Sequence, residues 1–135
     1  MIFEPLQYDS GLIKQLEADT IANVEKGDPL YLDDGVAKVA DDNQDTVRWV
    51  ALQTGEGLDG SDDLLALYVD GVEFVAETDS EPDAEDVGEV YDLDADGNVD
   101  LDSSNGNVFY VAEIEGPASD KKVRGYFLDR VTNTA

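Results

Sequence analysis

The 33 acidic residues of this chain face only eight Lys and Arg, which leaves a formal charge of −25. No other feature limits so tightly what the chain can fold into. Self-repulsion on that scale opposes any compact state unless salt screens it. At 1 M salt the Debye length shrinks to about 3 Å, and most of the repulsion disappears. Highly charged chains with little apolar content stay disordered. Here 41% of the residues are hydrophobic, and they fall into strand-like runs. The expectation is an ordered core under an acid-coated surface suited to extreme salt.

The same composition removes several classes of chemistry. There is no Cys and no His, so disulfides, thiolate sites and the usual zinc, copper and haem ligand sets are not expected. The commonest general base is also missing. No Gly-rich phosphate loop and no nucleophile-elbow pattern occurs. Carboxylates are too abundant for any one pair to stand out as a catalytic dyad, so no enzyme activity is expected. Only Lys121, Lys122 and Arg124 cluster as cations, too few for a phosphate-binding patch, so direct nucleic-acid binding is not expected. No apolar run nears the ~20 residues that span a bilayer, and residues 1–10 lack the pattern of a secretory signal.

Short apolar runs recur at intervals of roughly 8–12 residues with turn signals between them, the pattern of an all-β sandwich or barrel. Leu30-Tyr31-Leu32 and residues 36–40 flank Asp33-Asp34-Gly35 as a hairpin. Residues 64–69 and 72–76 flank Asp70-Gly71 as a second hairpin, and residues 88–93 and 98–101 flank a third turn ending in Gly97. Asp-Gly pairs serve tight hairpin turns well. Residues 47–53, 108–114 and 121–131 read as further strands, the first of them central because it is mostly apolar. Residues 10–19 read as a short helix or a strand, and residues 13–18 are the one helix candidate, because Leu12, Ile13 and Leu16 have helical spacing. Residues 54–63 read as a Gly/Asp-rich loop, and residues 78–86 as an acidic, solvated and mobile one. Residues 1–19 are expected to form an N-terminal arm, at residues 1–10, and an entry segment, residues 20–131 a β-barrel domain and residues 132–135 a frayed tail. Most aromatics, from Tyr31, Trp49 and Tyr68 to Tyr110, Tyr126 and Phe127, fall in strands and are expected in the core.

The chain repeats itself. Residues 27–43 followed by 47–52 resemble residues 88–105 followed by 108–113, with Tyr31 matching Tyr91, Gly35 matching Gly97, Val39 matching Leu101 and Ala51 matching Ala112. Two copies are too few for a solenoid. They predict a small β-barrel built from two similar hairpin-containing halves.

Two segments are candidate sites. Asp92, Asp94, Asp96, Gly97, Asn98 and Asp100 match the opening positions of a Ca²⁺ loop, where a hard cation gathers several oxygens on one turn. Ser103 stands where the bidentate Glu belongs, and an acidic hairpin turn explains the same residues. No cofactor is otherwise expected, so this loop is a candidate for Ca²⁺ or another cation through Asp92, Asp94, Asp96, Asn98 and Asp100. The second segment is the arm, whose Ile2, Phe3, Pro5, Leu6 and Tyr8 either dock on a partner by strand addition or fold back on the barrel.

Glu25-Lys26-Gly27-Asp28-Pro29-Leu30-Tyr31, then Gly35 to Ala40 and Trp49-Val50-Ala51-Leu52, are similar to small head decoration proteins of tailed viruses. Gly88-Glu89-Val90-Tyr91-Asp92, Gly97-Asn98-Val99 and Val111-Ala112-Glu113 continue the pattern. These motifs resemble the lambda-type capsid-stabilising family, a compact β-barrel of the β-tulip kind. The resemblance spans roughly residues 5–130, and the acidic loop at 78–86 departs from it. It implies a structural virion protein on the outer capsid surface, a homotrimer that clamps the major capsid protein through an N-terminal arm. The matching arm residues are Ile2, Phe3, Pro5, Leu6 and Tyr8, and the composition then points to a virus of a salt-loving host. The alternative from another class is a Ca²⁺-responsive extracellular β binding module, motivated by residues 92–100.

The charge predicts that the melting temperature rises steeply as salt is raised from ~10 mM to ~1 M, because screening relieves the native-state repulsion. Thermal circular dichroism checks this, and a midpoint that does not move would mean that the acid shell needs no screening.

Overall fold

The structure is a computed structural model and describes residues 1–18, 23–44, 46–55, 64–103 and 106–128. Among these the chain is all-β, with eleven strands in two sheets and only 3₁₀ turns as helical pieces. The strands are β1 (Phe3–Pro5), β2 (Ile13–Leu16), β3 (Pro29–Asp33), β4 (Val36–Val39), β5 (Trp49–Ala51) and β6 (Leu64–Tyr68). They continue as β7 (Phe74–Glu77), β8 (Val90–Leu93), β9 (Val99–Asp100), β10 (Phe109–Ile114) and β11 (Lys122–Phe127). One sheet has the order β2-β6-β5-β3-β4 and the other β1-β7-β11-β10-β8-β9.

Apart from β1, the two sheets have one topology. In each run of five strands the first pairs with the fifth, the fifth with the fourth, the fourth with the second and the second with the third. The chain is thus built from two similar halves, each around one hairpin. Matching closures complete the likeness: Ala18 bridges Ala37 and Thr78 bridges Val99, both in parallel. In each half the chain just past the first strand reaches the strand on the far edge, so the sheet curls toward a barrel.

Hydrogen bonds set the true register of the repeat. Ala51 N–H donates to Asp28 O at 3.0 Å and Gly27 N–H to Ala51 O at 2.8 Å. Val111 N–H donates to Glu89 O at 3.0 Å and Gly88 N–H to Val111 O at 2.8 Å. Ala51 therefore corresponds to Val111 and not to Ala112. Because Leu30 lies opposite Trp49 and Tyr91 opposite Phe109, Leu30 and not Tyr31 is the counterpart of Tyr91. Matching letters slipped by one residue, which in a strand turns every side chain to the wrong face. The Gly35/Gly97 and Val39/Leu101 matches agree with the hairpin registers.

Turn chemistry explains which hairpins form. Asp34 and Gly35 have φ of 53° and 83°, positive at both central positions as a type I′ turn requires, and β3 and β4 pair across it. At Asp70-Gly71 only Gly71 is positive, at 72°, the signature of type II, which does not match strand twist. The expected second hairpin is therefore absent: β6 joins one sheet and β7 the other, and this turn is the crossing between halves. Of the helix or strand expected around residues 13–18, the strand is the one formed. Asp9 caps a 3₁₀ turn at Ser10–Leu12, accepting Gly11 N–H at 2.8 Å, and the chain then extends as β2 along β6. The expected central strand is β5, third of five in its sheet.

The loop at 78–86 is tied down rather than free. Asp83 and Asp86 cap a 3₁₀ turn at Ala84–Asp86 reciprocally, and the Tyr91 hydroxyl donates to Asp86 Oδ1 at 2.6 Å. Residues 56–63 of the loop expected at 54–63, and the expected tail at 132–135, lie outside the described residues.

The main core draws on both sheets: Phe74, Ala76, Tyr91, Leu93, Phe109, Val111, Val123 and Phe127 from one, Val50 and Leu67 from the other. A second cluster of Ala18, Val24, Leu30, Ala37, Ala51, Leu64 and Ala66 lines the opposite face of the five-stranded sheet. Four of its seven members are Ala, with Val24, Leu30 and Leu64 as the larger ones. Tyr110 and Tyr126, expected in the core, lie opposite each other on the outward face and are 36% and 40% exposed.

Of the expected arm and entry segment, the described residues 1–18 belong to the body of the fold, so of the two alternatives for the arm the structure has the one folded back on the barrel. Strand β1 pairs with β7, and β2 pairs with β6. Phe3 is fully buried, with ring centroids 6.3, 5.4 and 4.6 Å from Phe74, Phe109 and Phe127. A buried Phe stabilises more in this cluster than on an exposed arm. Phe3→Ala is expected to cost about 3–5 kcal/mol through lost burial and a cavity, read by urea unfolding at fixed high salt. A cost below about 1 kcal/mol would mean that β1 is not part of the cooperative fold.

Candidate interaction surface and carboxylate cluster

With Phe3 held in the core, the residues after β1 are carried to the surface. Leu6 N–H donates to Glu73 O at 3.0 Å, and the chain then leaves the sheet. Leu6 and Tyr8 are each 40% exposed, and Met1 is 48% exposed. Met1 rests on Gly27, whose φ is +92°. A Cβ there would stand 2.0 Å from Met1 Cγ, so only Gly fits. Met1, Glu4, Pro5, Tyr8, Lys26 and Leu52 line a cleft of about 240 Å³. The structure thus divides the five candidate arm residues. Phe3 is lost to the core, and Ile2 and Pro5 are half-buried. Only Leu6 and Tyr8 face outward. Met1 and Lys26 join Tyr8 by tertiary proximity, for which the sequence carries no local signal.

A second opening lies at one end of the five-stranded sheet. Trp49 and Tyr68 are cross-strand partners with centroids 5.2 Å apart, and both are half-buried rather than core. The Arg48 guanidinium stands 5.4 Å from the Tyr68 ring centroid and donates to the Tyr68 hydroxyl. Trp49 borders two clefts, one of about 260 Å³ shared with Lys14 and Tyr68, the other of about 440 Å³ shared with Leu32 and Arg48.

The candidate cation loop does not gather its ligands. Asp94 Oδ1 accepts the N–H groups of Asp96 and Asn98 at 2.8 and 3.0 Å, so it organises the turn itself. Asp92 Oδ1 accepts Asn107 N–H at 2.8 Å, and Asp96 is exposed. Only Asp100 enters a cluster of carboxylates. Among the described residues Asp79, Asp100 and Asp102 bring one oxygen each within 4.8 Å of one another. Asp79 comes from the 78–86 loop, which no local pattern places beside residues 100–102. Its Oδ1 accepts Leu101 N–H at 2.9 Å, and Asp100 Oδ1 accepts Asp102 N–H at 3.0 Å. Burial first, then the charge of Asp79, pushes the Asp100 carboxyl above its ordinary range. Three such oxygens have the hard-donor chemistry that a divalent cation takes. Elsewhere burial, and then its bond to Asp86, raise the Tyr91 hydroxyl, which stays a proton donor.

No family model, curated protein or solved structure matches this chain.

Because Asp100 binds its proton more tightly folded than unfolded, its contribution to stability is complete below the ordinary value of 3.8 and is lost as pH rises through the raised native value. Asp100→Asn is therefore expected to raise the melting temperature at pH 7 and to flatten its dependence on pH. Added Ca²⁺ should raise the wild-type midpoint and raise that of Asp100→Asn less. Equal gains in the two would show that calcium acts elsewhere.

Proposed function

We propose that this chain is a structural virion protein of the capsid-decoration type, bound to the major capsid protein on the outside of a tailed-virus head and adapted to molar salt. The observation that carries this reading is the anchored first strand. Phe3 is fixed in the core, Tyr8 is thereby held in one cleft with Met1 and Lys26, and Leu6 is exposed just past β1. Apolar side chains rimmed by polar ones, with an aromatic among them, suit a protein contact. In this reading Leu6 and Tyr8 touch the capsid, while Ile2, Phe3 and Pro5 anchor the contact rather than make it. The remaining surface is so acidic that it stays solvated and repels packed nucleic acid. Homotrimers on the shell, and a binding rather than catalytic role, belong to the same proposal.

The carboxylates of Asp79, Asp100 and Asp102 favour a second reading. In it the chain is a Ca²⁺-responsive extracellular β binding module, with the cation tying the 78–86 loop to β9.

Co-sedimentation with undecorated heads in ~1 M salt separates the two. Saturable binding that falls at least about tenfold, some 1.4 kcal/mol, in a folded Leu6→Ala/Tyr8→Ala variant supports the decoration role. Absence of binding, together with a calcium-dependent midpoint lost in Asp100→Asn, supports the binding module and removes the first reading.

A further inference from the structure

One difference between the two halves leaves a docking position open. In the six-stranded sheet β1 lies along β7, with Phe3 opposite Ala76, Glu4 opposite Val75 and Pro5 opposite Phe74. Phe3 fills a hollow made by Phe74, Phe109 and Phe127. Registers identify the counterparts of that hollow. Val111 lies opposite Gly125, Gly125 opposite Phe74, and Phe109 opposite Phe127. In the other half Ala51 lies opposite Ala66, Ala66 opposite Lys14, and Trp49 opposite Tyr68. Lys14, Trp49 and Tyr68 thus occupy the positions of Phe74, Phe109 and Phe127, and Leu16 that of Ala76.

Among the described residues nothing takes the place of Phe3 there. Among the described residues no strand but β6 pairs with Ile13–Leu16, and the outer edge is met only beyond it, where Ala37 N–H donates to Glu17 O and Ala18 bridges Ala37. The Phe74, Phe109 and Phe127 side chains are buried, whereas Trp49 and Tyr68 are half-exposed and Lys14 is exposed. Leu32 is 44% exposed, whereas its counterpart Leu93 is 1% exposed. A cleft of about 260 Å³ between Lys14, Trp49, Tyr68 and Leu12 stands where the missing ring would sit.

We propose that the β2 edge receives an extended polypeptide segment from a partner, carrying an aromatic residue and, two positions later, an acidic one. The segment pairs antiparallel with Ile13–Leu16, as β1 pairs with β7. Its aromatic side chain lies opposite Leu16 and enters the Trp49/Tyr68 cleft. Residues two apart share a face of a strand, so the residue opposite Lys14 points into the same cleft. Phe74 meets Pro5 at the equivalent place. Lys14, an exposed cation with no ion pair among the described residues, meets a carboxylate instead. A Lys on a strand edge discourages indiscriminate pairing. In a chain of charge −25 it also marks the one stretch of this edge that admits an acidic strand. This inference stands without the capsid reading.

Trp49 is the only Trp of the chain, so its emission reports directly on the cleft. The probe is a short synthetic peptide with the core Thr-Ile-Phe-Thr-Glu-Val, titrated at the lowest salt that keeps the chain folded. A saturable change in Trp49 emission is expected, with amide-exchange protection appearing at residues 13–16. Replacing the peptide's Phe by Ala, or introducing Lys14→Glu, is expected to weaken binding at least about fivefold. A peptide with Lys in place of Glu should recover binding to the Lys14→Glu variant, and Lys14→Gln serves if that variant folds poorly. The proposal is overturned by an emission that never changes, by equal affinity for wild type and Lys14→Glu, or by protection on another strand. It is also overturned if Trp49 emission depends on protein concentration without peptide, since a second copy would then fill the cleft.

Discussion

Burying Phe3 among Phe74, Phe109 and Phe127 is the contact on which the rest of this fold turns. It converts the first residues from an arm into the sixth strand of a sheet. It seals one of two otherwise equivalent hollows, and it delivers Leu6 and Tyr8 to the surface at a defined place. An aromatic cluster of this kind holds one geometry, since edge-to-face rings pack in few ways. Here Phe127 meets Phe74 and Phe109 at 79° and 77°. That one hollow is filled while its counterpart stays open follows from that single side chain.

The halves also differ in which faces are apolar, and this decides how they pack. The registers that equate Ala51 with Val111 equate Val50 with Tyr110 and Leu67 with Tyr126. Val50 and Leu67 are fully buried in the main core, whereas the two tyrosines face out. One sheet therefore buries both faces, against its neighbour and inside its own curl, while the other keeps a wet outer face. A duplicated topology needs only such changes of polarity at equivalent positions for its two copies to take different roles.

The acid excess is structural as well as electrostatic. Asp9, Asp28, Asp41, Asp79, Asp83, Asp86, Asp92, Asp94 and Asp100 each accept a backbone N–H in turns and loops. Seven of the nine reach a backbone N–H two to four residues away, where the longer Glu loses more rotamer freedom to do so, and Asp79 and Asp92 reach distant segments at Leu101 and Asn107. Much of the negative charge thus also satisfies loop donors. Arg124, by contrast, is shared by Glu113 and Glu115, a surface arrangement worth little to stability.

Much of this architecture was legible in the residues. Period-two apolar runs marked most strands, Asp34-Gly35 marked a true hairpin, and the repeat marked two halves, because backbone conformation and alternation are local properties. What escaped was whatever depends on residues far apart in the chain. Asp70-Gly71 looks like a hairpin turn until β6 and β7 join different sheets. Residues 92–100 look like a cation loop until Asp94 turns inward to its own backbone and Asp79 arrives beside Asp100. Phe3 looks like an arm residue until three distant rings close around it. The sequence by itself determined the all-β class, the twofold repeat and the acid shell, since these need only composition and short-range pattern. Tertiary structure alone decided the fate of the arm, the register of the repeat and the place of the free edge, because burial is settled by contacts between distant segments.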